Sequence, residues 1–282
     1  MRLRRFLGSL LRFKKIRMSL FRIFRASDTI IIARQLRDHV IAFSPSGTIG
    51  RALFVRGEWQ RADVELALEL LKNHNCLTQG KTALDIGSNI GTQTIYMMMS
   101  GCFSNVVAVE PEPRNFKILN LNLALNDFQK TVTPVMAAVS DVKGDMPLYL
   151  NEGFSDGGHS LLPRASAGVI NVSTKPLADI LTDADTKAEE ISFCWIDAEG
   201  FDELCLRQLV AIAGSGVPVF TEIGYDYNGE EEAEKFLAFI NETYSHKYVF
   251  NKDGMSPEFF ERRDAHLTGR SADILAFNCP QD

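Results

Sequence analysis

The residues with the clearest chemical potential are a glycine-containing run and a set of acids spread along 282 residues. The run is Asp85-Ile86-Gly87-Ser88-Asn89-Ile90-Gly91, where an apolar strand enters a turn and then a helix. Glycines there let backbone approach a ligand closely. A helix N-terminus adds unpaired N–H groups and a positive dipole end. Asp85, at the strand's carboxyl end, can receive a cationic amine. Glu110, with Pro111 after it, follows Gly91 by nineteen residues and ends the next strand. That is where an acid takes ribose hydroxyls in doubly wound nucleotide-binding folds. Asn89 breaks the G-x-G-x-x-G pattern and turns the cradle away from dinucleotides. A carboxylate just before the turn suits the amino-acid end of S-adenosylmethionine.

Further along, Asp197, Glu199 and Glu222 also fall at or just past strand ends. Carboxylates gathered there are costly unless paired, coordinated or used. They suit taking a proton from a hydroxyl or orienting it, with Asp197 or Glu199 at the reacting centre and Glu222 on the acceptor side. Alternatively, Glu199 caps the helix that follows, or the acids hold a divalent ion; the pattern does not require a metal. His159 and Ser160 sit in a glycine-rich stretch, Asn151 to Ser160, that reads as a lid or acceptor-binding loop. His159 is the histidine placed to act as a base. Ser140 and Asp141, after the third strand, are candidate adenine contacts.

These positions need elements to hold them. From residue 82 strands and helices alternate: strands at 83–86, 106–109, 132–138, 192–196 and 218–223, helices at 90–100, 113–125, 201–213 and 230–242. Alternation of this kind implies a mostly parallel sheet with helices on both faces. Residues 248–250 and 273–277 read as an antiparallel edge hairpin. Residues 141–168 read as a long irregular insertion, with 169–174 as an extra strand and 177–181 as a short helix. Upstream, His39–Phe43 and Ala52–Val55 read as strands flanking the turn Ser44-Pro45-Ser46-Gly47, followed by a helix over 58–73. The expected organisation is an arm at 1–27, a hairpin and helix at 28–78, and a cofactor-binding domain at 79–282.

With Val109-Glu110-Pro111, Asn120-Leu121-Asn122, Asn126 and Trp195-Ile196-Asp197-Ala198-Glu199-Gly200 added, the cradle resembles the FkbM family of methyltransferases over about residues 50–225. The resemblance implies a class I methyltransferase fold: a Rossmann-like, doubly wound, mostly parallel seven-stranded sheet with an antiparallel edge strand. It also implies S-adenosylmethionine as cofactor and methyl transfer to a hydroxyl oxygen, on a glycan, glycolipid or small metabolite. Asp202 stands where a glutamate is commoner in the family.

Composition narrows the alternatives. The net charge of −6 conceals nine Lys or Arg and no acid in residues 1–25, leaving 21 basic against 36 acidic residues in the body. An acidic body argues against nucleic-acid binding. Asn89, which breaks the dinucleotide pattern, disfavours a nicotinamide oxidoreductase, and the acids disfavour a non-catalytic partner protein. The arm mixes its charges with Leu, Ile and Phe, and three readings fit it: a helix at an anionic membrane surface, a solvated arm, or a targeting segment. Five scattered cysteines without a CxxC pair suggest buried thiols in a reducing, cytoplasmic setting.

Overall fold

The computed structural model describes residues 13–27, 30–151, 157–250, 258–259 and 271–279. Most of the first half of the basic arm, and Ser155 and Asp156 of the glycine-rich stretch, lie outside the described residues.

The central strands are β3 (Thr82–Ile86), β4 (Asn105–Val109), β5 (Val132–Val135), β9 (Ile191–Ile196), β10 (Val219–Ile223), β11 (His246–Phe250), β12 (Glu258–Phe259) and β13 (Ala272–Phe277). They join in the order β12-β11-β13-β10-β9-β3-β4-β5. The pairs from β10 through β9, β3 and β4 to β5 are parallel, while β13 runs antiparallel to both β10 and β11. The expected antiparallel strand is therefore β13, set two places in from the edge, inside β11 and the two-residue β12. Every residue of β3 and β9 is buried, as strands covered on both faces require. The chain runs outward from β3 to β5 and returns at β9 on the other side, and this reversal opens a crevice at the strands' carboxyl ends.

One face of the sheet is covered by α6 (Leu177–Asp183), α7 (Asp202–Ala213) and α9 (Glu230–Thr243), whose core side chains include Leu206, Leu209, Phe236 and Ile240. The other is covered by α3 (Arg61–Asn73), α4 (Thr92–Met99) and α5 (Pro113–Leu125). A short helix, α8 (Tyr225–Asn228), follows β10. The insertion after β5 is a second sheet of β6 (Ala138–Val139), β7 (Gly144–Leu150) and β8 (Gly168–Lys175). The single strand expected over 132–138 is thus split between two sheets. β7 is not apparent in the sequence because Gly144, Asp145 and Pro147 read as breakers and those three positions are exposed, which erases the alternation in its first half.

The N-terminal segment departs most from expectation. Val40–Phe43 is strand β2, but its partner is β1 (Ile32–Gln35), in antiparallel register. Ala52–Val55 belongs to helix α2 (Gly47–Val55), not to a strand. The Ser44–Gly47 turn leads into that helix, whose last turn is capped by Arg34: Nη1 donates to Leu53 O at 2.7 Å and Phe54 O at 2.8 Å. A Cβ at Gly50 would lie 2.1 Å from Ser44 O, so α2 can fold back against the end of β2 only with glycine there. The arm forms helix α1 (Lys14–Ala26), and its Phe21 and Phe24 rings pack against Phe54 at 5.7 and 5.8 Å.

The two asparagines Asn122 and Asn126 hold this segment to the core. Asn122 Oδ1 accepts the Ala42 N–H at 2.6 Å, and its Nδ2 donates to Ala42 O at 2.9 Å and Ile90 O at 2.8 Å. Asn126 repeats the pattern at Val40, accepting its N–H at 2.9 Å and donating to its carbonyl at 2.7 Å. Two side-chain amides, one on α5 and one at its C-cap, thus act as a surrogate neighbouring strand for β2. Cys76 and Cys279, 203 residues apart, are brought together with Sγ atoms 2.8 Å from each other.

Candidate active site

A cavity of about 840 Å³ opens at the crevice, a volume in the range of small-molecule sites. Its floor is the run after β3. Gly87 has φ +82° and a Cβ there would lie 1.8 Å from the Asp197 carbonyl oxygen. This glycine is needed so that the chain leaving β3 can pass close against the chain leaving β9, which places Asp197 beside the cradle. Gly91, φ +87°, would put a Cβ 2.5 Å from Leu119 of α5, so it serves helix packing and does not line the cavity. Asn89, at φ 52°, lines it and turns its own N–H toward Glu110.

Glu110 lies at the carboxyl end of β4 and lines the cavity with Pro111. Its Oε2 accepts the Asn89 N–H at 2.9 Å and its Oε1 the Glu112 N–H at 2.8 Å. Burial pushes its carboxyl up to about 8 against these two bonds. Each oxygen retains a second lone pair, so the carboxylate can still take ligand hydroxyls. Asp85 is placed differently from expectation. It is 1% exposed and sits behind the cavity wall, where the Thr94 hydroxyl donates to its Oδ2. Burial raises its carboxyl to about 7. Its position ties the end of β3 to the first turn of α4, and an amine reaches it only by displacing protein. Ser88 is likewise buried and outside the lining.

The turn after β9 carries the second group of acids. The Asp197 N–H donates to Ile86 O at 2.9 Å, which fixes the residue at the β3–β9 seam. Glu199 has φ 49° and Gly200 φ 102°, a tight pair of left-handed residues. Asp202 braces the turn from α7, accepting the N–H groups of Ala198 at 3.2 Å and Gly200 at 3.0 Å. The capping role considered for Glu199 is not filled, since Phe201 is the N-cap and no side chain caps the helix; Asp202, whose carboxyl burial raises to about 7, holds the turn before it. Asp197, Glu199 and Glu222 line the cavity, joined by Asp273, which pairs in register with Glu222 across β10 and β13. Burial, then the nearby charges of Glu199 and Glu222, drive the Asp197 carboxyl well above the usual carboxylate range. Among the described residues no three His, Cys, Asp or Glu side chains are grouped to hold a metal ion.

His159 also lines the cavity, but its ring is committed. Its Nδ1 accepts the backbone N–H of Asn151 at 3.0 Å. Burial lowers its pKa, favouring the neutral ring. A neutral ring that accepts at Nδ1 carries its proton on Nε2. The side chain thus offers a donor, not the base expected from sequence. Ser160 is buried outside the lining, and its Oγ donates to Glu199 O at 2.6 Å. It fastens the 157–160 stretch to the acid-bearing turn instead of meeting a ligand. Ser140 and Asp141 do not line this cavity either. Ser140 is held within the small sheet, where its N–H donates to Lys175 O at 3.0 Å. The wall near Glu110 is made instead by Ala137, Ala138, Val139 and Leu148.

Several lining residues have no counterpart among the sequence candidates. Trp59, Gln60 and Arg61 come from the start of α3, and Thr92 and Gln93 from the start of α4. Gln93 Nε2 donates to Gln60 Oε1 at 2.5 Å, closing α3 onto the cradle. Arg61 is held by a bidentate pair with Asp38, at 2.9 and 2.7 Å. The segment read as a lead-in to the core is therefore one wall of the site.

The arrangement fits a nucleoside donor: a cradle at the switch point, a buried acid at the end of β4 for ribose hydroxyls, an apolar wall beside it, and an acid group across the cavity. A family model for the methyltransferase FkbM domain matches residues 85–250. Methyltransferase sdnD of Sordaria araneosa is 26% identical over 145 residues, 42% of this chain and 56% of the relative. The chain thus spans just over half the length of that curated relative. Among solved structures, a methyltransferase FkbM from Methylobacillus flagellatus KT aligns at 14% identity with a TM-score of 0.42, over 70% of this chain and 44% of that one. An O-methyltransferase from Bacillus cereus in complex with SAH aligns at 13% and 0.44, over 77% and 80%. The M. jannaschii tRNA m1G37 methyltransferase aligns at 12% and 0.44, over 89% and 58%. With the family's domain matched over more than half of its length, the chain belongs to the FkbM family of S-adenosylmethionine-dependent methyltransferases.

Proposed function

We propose that this methyltransferase acts on oxygen, methylating a hydroxyl of a glycan, glycolipid or polyhydroxylated metabolite. The observation that carries the reading is the acid wall of Asp197, Glu199, Glu222 and Asp273, which lines the same cavity as the cradle. S-adenosylmethionine supplies an electrophilic methyl group; this chain must position the nucleophile, exclude water and take its proton. Glu110 holds the ribose side. Asp197 takes the acceptor's hydroxyl proton: burial and neighbouring acids raise its proton affinity, which makes it a stronger base than a solvated carboxylate. Glu222 and Asp273 accept hydrogen bonds from neighbouring hydroxyls, and His159 donates from Nε2. An oxygen acceptor suits this wall because a hydroxyl offers the carboxylates a donor to hold and a proton to remove.

The test is methyl-labelled donor with a panel of polyhydroxylated acceptors, with product analysis distinguishing methyl ethers from N- and C-methyl products. Asp197→Asn should lower turnover by about 10²- to 10⁴-fold while donor binding, measured by calorimetry, persists. Label found on nitrogen or carbon, or wild-type turnover in Asp197→Asn, refutes the assignment.

A further inference from the structure

We propose that helix α1, with Phe13 before it and Ile30–Ile31 after it, is a docking surface for an anionic lipid bilayer. The sequence suggests an amphipathic helix that buries its apolar side in the membrane. The structure assigns the surfaces the other way. The apolar side is spent on the protein, where Phe21 is 3% exposed against Phe54. What faces outward is charge: Lys14, Lys15, Arg22 and Arg25 are all exposed. Among the described residues none of the four joins an ion pair.

Charge alone would suit any polyanion, and the neighbouring side chains select among them. Of the nine exposed large hydrophobic residues among those described, Phe13, Ile23, Ile30 and Ile31 fall within this one stretch, and Ile23 and Ile30 are 62% and 70% exposed. Bare aliphatic groups gain nothing from phosphodiesters or base edges. At a bilayer they enter the boundary between headgroups and acyl chains while the cations meet the phosphates. The remainder of the protein carries 21 basic and 36 acidic residues, so an anionic surface repels it and α1 sets the orientation. No described helix is long and apolar enough to cross a membrane, so the contact is peripheral. Beneath α1 lies α2, whose Thr48 and Ile49 line the catalytic cavity. Docking through α1 therefore holds the cavity about one helix thickness, ~10 Å, from the headgroups. The inference does not depend on which acceptor is methylated.

The experiment is sedimentation of the full chain with vesicles of phosphatidylcholine alone or mixed with phosphatidylglycerol. Binding is expected only with the anionic lipid and should weaken as salt rises. Neutralising Lys15 and Arg22 together (K15Q/R22Q) should lower the partition coefficient roughly fivefold per residue, about 25-fold in all. Ile23→Ser should lower it further. Both residues are exposed and outside the cavity, so donor binding by the double variant should match the wild type and report an intact fold. Equal partition onto pure phosphatidylcholine, undiminished retention of the folded double variant, or tighter binding to duplex oligonucleotide than to anionic vesicles at matched salt would each overturn the proposal.

Discussion

Replacing Asn122 with alanine tests how the N-terminal wall of the site is held. The side chain is fully buried and makes three hydrogen bonds, to the N–H and carbonyl of Ala42 and the carbonyl of Ile90. Alanine leaves three buried backbone groups without those partners, at about 1–3 kcal/mol each. The vacated carboxamide volume admits a water that recovers one or two of the bonds, so a loss of about 3–5 kcal/mol is expected, a large share of a typical 5–15 kcal/mol. Asn126→Ala removes the matching pair at Val40, but that side chain is half-buried and solvent can replace it. There the loss should be about 1 kcal/mol. Asn122→Asp should be worse than alanine, because it turns an oxygen toward two carbonyls that now accept from Nδ2 at 2.9 and 2.8 Å. Urea unfolding with an unchanged m-value would give these differences directly. Equal losses at 122 and 126, or an Asn122→Ala loss under about 0.5 kcal/mol, would show that Ile41 and Phe43 hold β2 by apolar contact alone.

Gly87→Ala should abolish donor binding and lower the melting temperature, because its Cβ would meet the Asp197 carbonyl at 1.8 Å. Gly101→Ala, with φ +66° and nothing within 4 Å, should cost only about 1 kcal/mol of backbone strain; equal effects in calorimetry and melting would deny the close approach at Gly87 its importance. Asp85, Asp202 and Glu110 have folded-state carboxyls near 7, 7 and 8. The unfolded chain loses these protons near pH 4 and the folded chain only at 7–8, so their contribution to stability is full below about 4 and is lost as pH rises to about 8. His159, kept neutral, opposes this as one group against three, and unfolding at pH 6 should release protons; net uptake in calorimetry with buffers of different ionisation enthalpy would contradict it. Mild oxidation with diamide should join Cys76 to Cys279, whose sulfurs are 2.8 Å apart, and leave Cys102, Cys194 and Cys205 as thiols by peptide mapping. A crosslink that survives Cys279→Ser would contradict that pairing.

What the sequence revealed was local. Asp85 to Gly91 and Glu110 lie at consecutive strand ends, so alternation and two glycines suffice to place them at a crevice. What it concealed was assembled by topology. Asp273 joins the acids only because β13 runs antiparallel to β10 and sets it opposite Glu222; the start of that strand, read against the end of its predecessor, was the one available signal. Gln60 and Trp59 reach the cavity through the fold of α3 over α4, for which the sequence offers no local mark. Asn122 and Asn126 contributed to the family resemblance, yet their work is structural, at the backbone of β2. Ala52–Val55 misled because a short apolar run after a Pro-Ser-Gly turn suits a strand or a buried helix equally. Ser140, Ser160 and His159 lie close to where pattern places them, but hydrogen bonds to Lys175, Glu199 and Asn151 decide which way they face.

The acid wall also explains how such a costly cluster can be kept. Burial and crowding in a partly dry cavity favour the protonated form of the Asp197 and Glu110 carboxyls, and a protonated Asp197 is no base. A cation in the cavity reverses this by favouring the ionised form. The proposed donor carries a sulfonium charge, so its arrival is what readies the wall to accept a proton. In the proposed reaction, methyl transfer would end that charge, and the hydroxyl proton would pass to Asp197 in the same event. The net charge of donor and wall is therefore the same before and after, and no charge is left in low dielectric. Donor binding should then release protons from the enzyme, and Asp197→Asn should reduce that release. Binding of the demethylated product, which lacks the sulfonium charge, should release fewer. Identical proton release with donor and product would show that the wall does not respond to the sulfonium.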